Sequence, residues 1–254
     1  MILPEMGGGE LAFVGVAAVA GGAVNALAGG GTLITFPTLL ACGVPPLAAN
    51  VTNTLALCPG YIGATAAQAD ELRGQGRRLA RFAGASALGG FAGALLLLQT
   101  GERVFRLLVP FLILFASGLL ALQEPLRARL VRRAAGHGKE GSVLLPLALA
   151  GVYGGYFGAG LSVIVLALLG LVLPDSLTRL NALKQGISFG ANLVAAVVFA
   201  FAGPVAWPAM AVMAVGALAG GFLGGRVAGR IAPAVLRRIV VTLGFVVGIV
   251  YLLR

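Results

Sequence analysis

The sequence predicts an all-α polytopic membrane protein made of two inverted repeats of about five membrane segments each. Broken helices or re-entrant hairpins are expected at two glycine loops. Three observations carry this: an apolar composition, a glycine motif that occurs twice, and the placement of Lys and Arg. Hydrophobic residues make up 59% of the 254 residues and charged ones 10%, and mean hydropathy is +1.01. A soluble domain carries about a quarter charged residues, so this surface suits lipid.

Apolar segments run over residues 11–27, 32–43, 47–68, 79–99, 104–122, 143–157, 161–173, 176–201, 205–226 and 234–253. Crossing about 30 Å of hydrocarbon takes roughly 20 residues in a helix. Segments 32–43 and 161–173 fall well short. Each follows a glycine loop, Gly29-Gly30-Gly31 in one case and Gly158-Ala159-Gly160 in the other. Helix, glycine turn and short half-helix is the local structure this implies. Thr32 suits the N-cap of the first half-helix, and Asp175 or Ser176 the N-cap of segment 176–201. The N-terminus, MILPEMGGGE, has no basic stretch and does not read as a cleavable signal peptide.

The chain repeats internally. Gly90-Phe91-Ala92-Gly93 aligns with Gly221-Phe222-Leu223-Gly224 at an offset of 131. The same offset pairs Val104-Phe105-Arg106-Leu107 with Val235-Leu236-Arg237-Arg238, while the glycine loops, and Pro45 with Pro174, align at 129. Residues 1–126 form the first repeat, 127–142 a charged cytoplasmic linker and 143–254 the second repeat.

Short cytoplasmic loops collect Lys and Arg. With four crossings per half, the basic residues divide ten to seven between the two faces. With each glycine region counted as a hairpin, fourteen fall on one face, among them Arg73, Arg77, Arg78, Arg81, Arg127, Arg129, Arg132, Arg133, Lys139, Arg179 and Arg230. Only Arg103, Arg106 and Arg254 fall on the other. The second count selects inverted repeats with both termini outside the cytoplasm. A multi-pass protein of the cell inner (plasma) membrane is expected.

The net charge of +10 therefore follows membrane topology and does not point to nucleic acid. Catalysis is poorly supported: His137, the single histidine, lies in the linker, and all eight acidic residues sit at segment ends or in loops. Cys42 and Cys58 lack metal-ligand spacing. Neither cofactor nor metal is expected, and the chain does not read as an enzyme.

Lys184 is the exceptional charge, about eight residues or some 12 Å into its segment. It shares a polar stripe with Asn181, Gln185, Ser188 and Asn192, which must face a cavity or another helix. An intramembrane cation is by default a functional hypothesis, the plainer alternative being a side chain that snorkels to the interface. Asn25, Asn50, Thr52, Asn53 and Thr54 supply a polar counterpart in the first half. Half-helix N-termini at Gly29, Gly30, Gly31 and Thr32, and at Gly158 and Gly160, present free N–H groups and suit an anion. The expected site joins these loops to Asn25, Thr52, Asn53, Asn181, Gln185 and Lys184, with Lys184 and Asn53 on one cavity near mid-membrane. Glycines at four-residue spacing (Gly84, Gly89, Gly93, Gly216, Gly220 and Gly224) read as close helix-packing faces, and could also serve a homodimer contact. Trp207 and Tyr251 read as interface anchors.

At these residues the chain resembles the sulfite exporter TauE/SafE family, also called the toluene-sulfonate uptake permease family. The likeness lies in Gly29-Gly30-Gly31 with Phe36-Pro37-Thr38-Leu39-Leu40, in Gly43-Val44-Pro45-Pro46, and in Ala48-Ala49-Asn50-Val51-Thr52-Asn53-Thr54. The family typically has Thr-Ser where this chain has Thr52-Asn53. The resemblance implies membrane transport of a sulfur-containing oxyanion such as sulfite, thiosulfate or an organosulfonate, with short carboxylates as the alternative cargo and a channel-like pore as the alternative mode. A small anion and the lipid bilayer are then the expected partners.

Overall fold

The computed structural model describes residues 4–125, 140–227 and 234–253. Expectations for Arg127, Arg129, Arg132, Arg133, His137, Lys139, Arg230 and Arg254 lie outside the described residues. Among the described residues all regular structure is helical. In order the helices are α1 (Gly8–Leu27), α2 (Thr32–Ala41), α3 (Pro46–Ala67), α4 (Gly76–Ala121), α5 (Leu144–Tyr156), α6 (Leu161–Val172), α7 (Leu177–Ala202), α8 (Trp207–Val227) and α9 (Ala234–Leu252). Helices α1, α4, α7, α8 and α9 are long and apolar enough to cross a membrane, and α2 and α6 are the short apolar ones. Helix α3 matches the spanning length with 22 residues but is more polar, because it carries Asn50, Thr52, Asn53 and Thr54.

The segments expected at 79–99 and 104–122 lie in one element, α4, that turns at Gly101 (φ 72°, ψ 169°). That combination of φ and ψ is essentially restricted to glycine, so glycine suits the corner. Residues 102–121 then run beside α9, where Gly244 meets Ser117 and Gly248 meets Leu114.

Many large apolar side chains face outward, including Leu88 (75% exposed), Val215 (71%) and Phe201 (89%). A water-soluble fold rarely leaves such surface bare, whereas hydrocarbon is a good solvent for it. Trp207, half exposed at the start of α8, lies at a helix end, as an interface anchor does.

Glycine sets how the helices interlock. Gly89 and Gly93 of α4 lie against the backbone of Ala148 and Val152 of α5, and Gly90 against Ala191 of α7. In the other half Gly220 and Gly224 of α8 lie against Val19 and Ala23 of α1, and Gly221 against Gly60 of α3. A side chain at these positions would meet neighbouring backbone, so the close approach needs its absence. Gly84 departs from this pattern: it is exposed, and a Cβ there would meet no neighbouring helix within 4 Å. The first part of α4 thus packs on helices of the second half, and α8 on helices of the first. The two halves of the sequence are interleaved in space.

Helix ends correct one capping expectation. Ser176 caps α7 by accepting from the Arg179 amide (3.3 Å). Gly31, not Thr32, is the N-cap of α2, with helical backbone (φ −55°) and no side-chain cap. Thr32 lies inside the first turn, where its hydroxyl serves another helix. Asp175 accepts from Arg78 (2.8 Å) and pairs with Arg179 (3.4 Å).

Candidate functional site

Helices α3 and α7 run antiparallel. Gln68 meets Asn181 near one end, Tyr61 meets Asn192 midway, and Val51 lies against Gly203 near the other. The end holding Gln68 and Asn181 also holds Arg73 and Arg179, joined by an Arg179 to Arg73 carbonyl hydrogen bond (3.4 Å). It is called the arginine end below. The polar stripe of α7 faces inward: Lys184, Gln185 and Ser188 are fully buried and Asn192 is 5% exposed.

At the arginine end Asn181 donates to the Gln68 side chain (2.8 Å) and to the Ala26 carbonyl (3.4 Å). Gln185 donates to the carbonyls of Ala26 (2.8 Å) and Asn25 (3.3 Å). Lys184 Nζ donates to Asn181 Oδ1 (2.7 Å). This layer therefore satisfies the last carbonyls of α1, which a helix leaves unpaired, and puts a cation near the negative end of its dipole. Lys184 is enclosed by protein, and its Nζ bonds one turn toward the arginine end.

At the opposite end Asn50 donates to the Tyr156 carbonyl, the last of α5 (3.0 Å). Asn50 and Asn181 are 131 residues apart, and so make the same contact in the two halves: each closes the carbonyl end of the other half's first helix. Asn53 donates to the Thr32 hydroxyl (3.4 Å) and accepts from the Thr35 hydroxyl, whose single proton is shared with the Gly31 carbonyl (3.1 Å). Asn53 and Thr35 so fix the first turn of α2 beside the glycine loop.

Midway, the Asn192 amide donates to the Tyr61 hydroxyl (3.5 Å), and Asn25 and Ser162 also face that hydroxyl. Here the loops meet: a Cβ on Gly29, whose φ is +86°, would stand 2.6 Å from the Ser162 Cβ. Gly160 (φ +80°) is the N-cap of α6, and Tyr153 holds the second loop by donating to the Ala159 carbonyl (2.6 Å). Phe36 of α2 and Phe157 after α5 pack edge to face, centroids 5.5 Å apart, which ties the two hairpins together. The amides of Gly30, Gly31 and Thr32, and of Ala159, Gly160 and Ser162, donate to no backbone carbonyl among the described residues. Asn50 Oδ1, Ser162 Oγ, Gln185 Oε1 and Ser188 Oγ are buried and make no hydrogen bond there either. No carboxylate is buried among the described residues.

The structure brings Gly29, Asn25, Ala26, Asn181, Lys184 and Gln185 into adjoining layers, with Ser162 beside Gly29. It does not bring Lys184 to Asn53. The α3–α7 pairing sets Lys184 level with the end of α3, about 13 residues or roughly 20 Å along the helix from Asn53. Thr52 is drawn elsewhere: its hydroxyl accepts from the Ala206 amide just before α8 (2.9 Å). Thr52→Val is therefore expected to destabilise the fold by about 1–3 kcal/mol through an unpaired buried amide, while anion affinity stays unchanged. Thermal unfolding beside a binding titration checks this.

Tyr61, Ser162, Thr35 and Gln68 were not among the residues expected from the sequence. Tyr61 was within reach: subtracting the repeat offset of 131 from Asn192 lands on it. Ser162 and Thr35 carry no pattern of their own, and only the hairpin geometry brings them in.

A family model described as Sulfite exporter TauE/SafE matches residues 13–251. The chain is 31% identical over 223 residues to a probable membrane transporter protein, ORF9, of Sinorhizobium sp., covering 83% of this chain and 80% of that protein. It is 29% identical over 232 residues to a probable membrane transporter protein of Haemophilus influenzae, covering 87% and 86%. It is also 32% identical over 222 residues to the probable membrane transporter protein YfcA of Escherichia coli K12, covering 84% and 77%. No solved structure matches the chain.

Proposed function

We propose, from the premise that the chain belongs to the sulfite exporter TauE/SafE family and is a multi-pass membrane transporter, that its cargo is a small sulfur-containing anion such as sulfite, thiosulfate or an organosulfonate. The observation that supports this reading is the meeting of two glycine loops, one from each half, in a buried layer that holds amide and hydroxyl groups, a nearby lysine and no carboxylate. Amides at helix N-termini favour anions. The cargo would contact the loops at Gly29, Gly30 and Gly31 and at Gly158 and Gly160, with Thr32, Tyr61, Ser162 and Asn192 around it and Lys184 supplying charge from the arginine end.

The same reading takes the chain as inverted repeats, 1–126 and 143–254, in the inner membrane, with the arginine end in the cytoplasm and both termini outside. The contacts made twice, by Asn50 and Asn181 and by Gly90 and Gly221, support a two-fold relation between the halves. Inverted repeats with interrupted helices suit alternating access around a central site. The chemistry is positional and electrostatic, so a carrier fits and an enzyme does not.

A thermal-shift screen of purified protein against sulfite, thiosulfate, sulfate, sulfonates and short carboxylates is the test of cargo. Stabilisation by a sulfur anion is expected. Stabilisation by carboxylates alone would replace the cargo, and a response to none of these anions would end the anion reading. Counterflow in proteoliposomes is expected of a carrier, and its absence during uptake would make the protein a pore.

A further inference from the structure

We propose that the arginine end carries a second anion site, independent of the transported cargo, that binds a phosphate group. It is a concave cavity of about 430 Å³ at the start of α4, lined by Arg77, Arg78, Arg81 and Arg179 with Glu140 and Asp175. Its carboxylates are already engaged. Arg78 donates to Asp175 (2.8 Å) and to Glu140, and Arg179 pairs with Asp175 (3.4 Å). Four guanidinium groups against two carboxylates leave a surplus of two positive charges in the lining.

That surplus resides in Arg77 and Arg81. Both are exposed and neither makes an ion pair among the described residues. They stand four apart on α4, the spacing at which like charges face and repel each other. Arg179 lines the same hollow, and the first turn of α4, which no side chain caps, adds the positive end of a helix dipole. An anion seated between Arg77 and Arg81 would remove the repulsion and be held by charge-assisted hydrogen bonds. Two surplus charges match a phosphate dianion. Arginine-lined hollows at the end of a membrane helix lie where a lipid headgroup can reach them, so the phosphate group can be a lipid's or free.

The test is isothermal titration of the purified full chain with two probes, inorganic phosphate and a water-soluble short-chain phosphatidic acid, on wild type and on the double variant R77Q/R81Q. Saturable binding of a probe to the wild type is expected, at least about tenfold weaker in the double variant, since each lost charge-assisted bond is worth about 1.5–3 kcal/mol. Binding of inorganic phosphate identifies a free-anion site, and binding of the lipid alone a headgroup site. If neither probe binds the wild type, or the double variant binds as tightly as wild type, the proposal is overturned. Both arginines are exposed, and an unchanged thermal unfolding temperature of the double variant, measured without any anion, is the control for its fold.

Discussion

Replacing Lys184 by alanine is expected to abolish cargo binding while the protein still folds and reaches the membrane. Lys184 is fully buried and held by Asn181 at 2.7 Å. Truncating a buried charged partner costs about 2–5 kcal/mol, an affinity loss of at least about thirtyfold. The structure supplies a competing role, because the same layer closes the carbonyl end of α1 through Asn181 and Gln185. Lys184→Gln separates the two. It keeps a donor for Asn181 but carries no charge, so it should bind as poorly as Lys184→Ala if the charge serves the anion. Near-normal affinity in the glutamine variant would make Lys184 a support for Asn181 and move the cargo site wholly to the loops.

Gly29→Ala is expected to have the largest effect on the fold. Its backbone sits at φ +86°, and a Cβ there would stand 2.6 Å from that of Ser162. The left-handed conformation costs alanine roughly 1–2 kcal/mol, and overpacking a filled interior a further 1–3 kcal/mol or so. A loss of about 2–5 kcal/mol is therefore expected, along with transport, because the clash falls where the two hairpins meet. Gly43→Ala is the control: φ is +78° but no atom lies within 4 Å, so only the backbone part should appear. Equal destabilisation of the two variants in denaturant titrations would mean that the Gly29 loop does not press on α6.

Where the sequence and the structure diverge, the cause is the third dimension of the helix pairs. Asn53 and Lys184 stand 131 residues apart, the offset read between the two glycine-rich stretches, and each lies in a polar cluster, which suggests one shared cavity. In antiparallel helices, however, equivalent residues lie on opposite sides of the crossing, and only those near the crossing meet. Tyr61 and Asn192 are that pair. Thr52 looked like cargo chemistry because it adjoins Asn53, but successive helical residues point about 100° apart, and its hydroxyl reaches the chain entering α8 instead. Thr32 adjoins the glycine loop as an N-cap would, yet Gly31 already has helical backbone, and the helix begins one residue earlier than capping chemistry suggests.

The solvent, the helices and their breaks could be read from the residues alone. These depend on local quantities: runs of apolar side chains, the length needed to cross hydrocarbon, and glycine where the backbone turns, as at Gly29 and Gly160. The duplicated glycine loops and the inward face of the α7 stripe were readable for the same reason. Which helices exchange between the halves, how α3 and α7 register, and hence which polar groups meet became visible in three dimensions alone. Those outcomes follow from backbone approaches as close as Gly90 on Ala191 and Gly221 on Gly60, set by packing between residues more than a hundred positions apart. No local pattern encodes them.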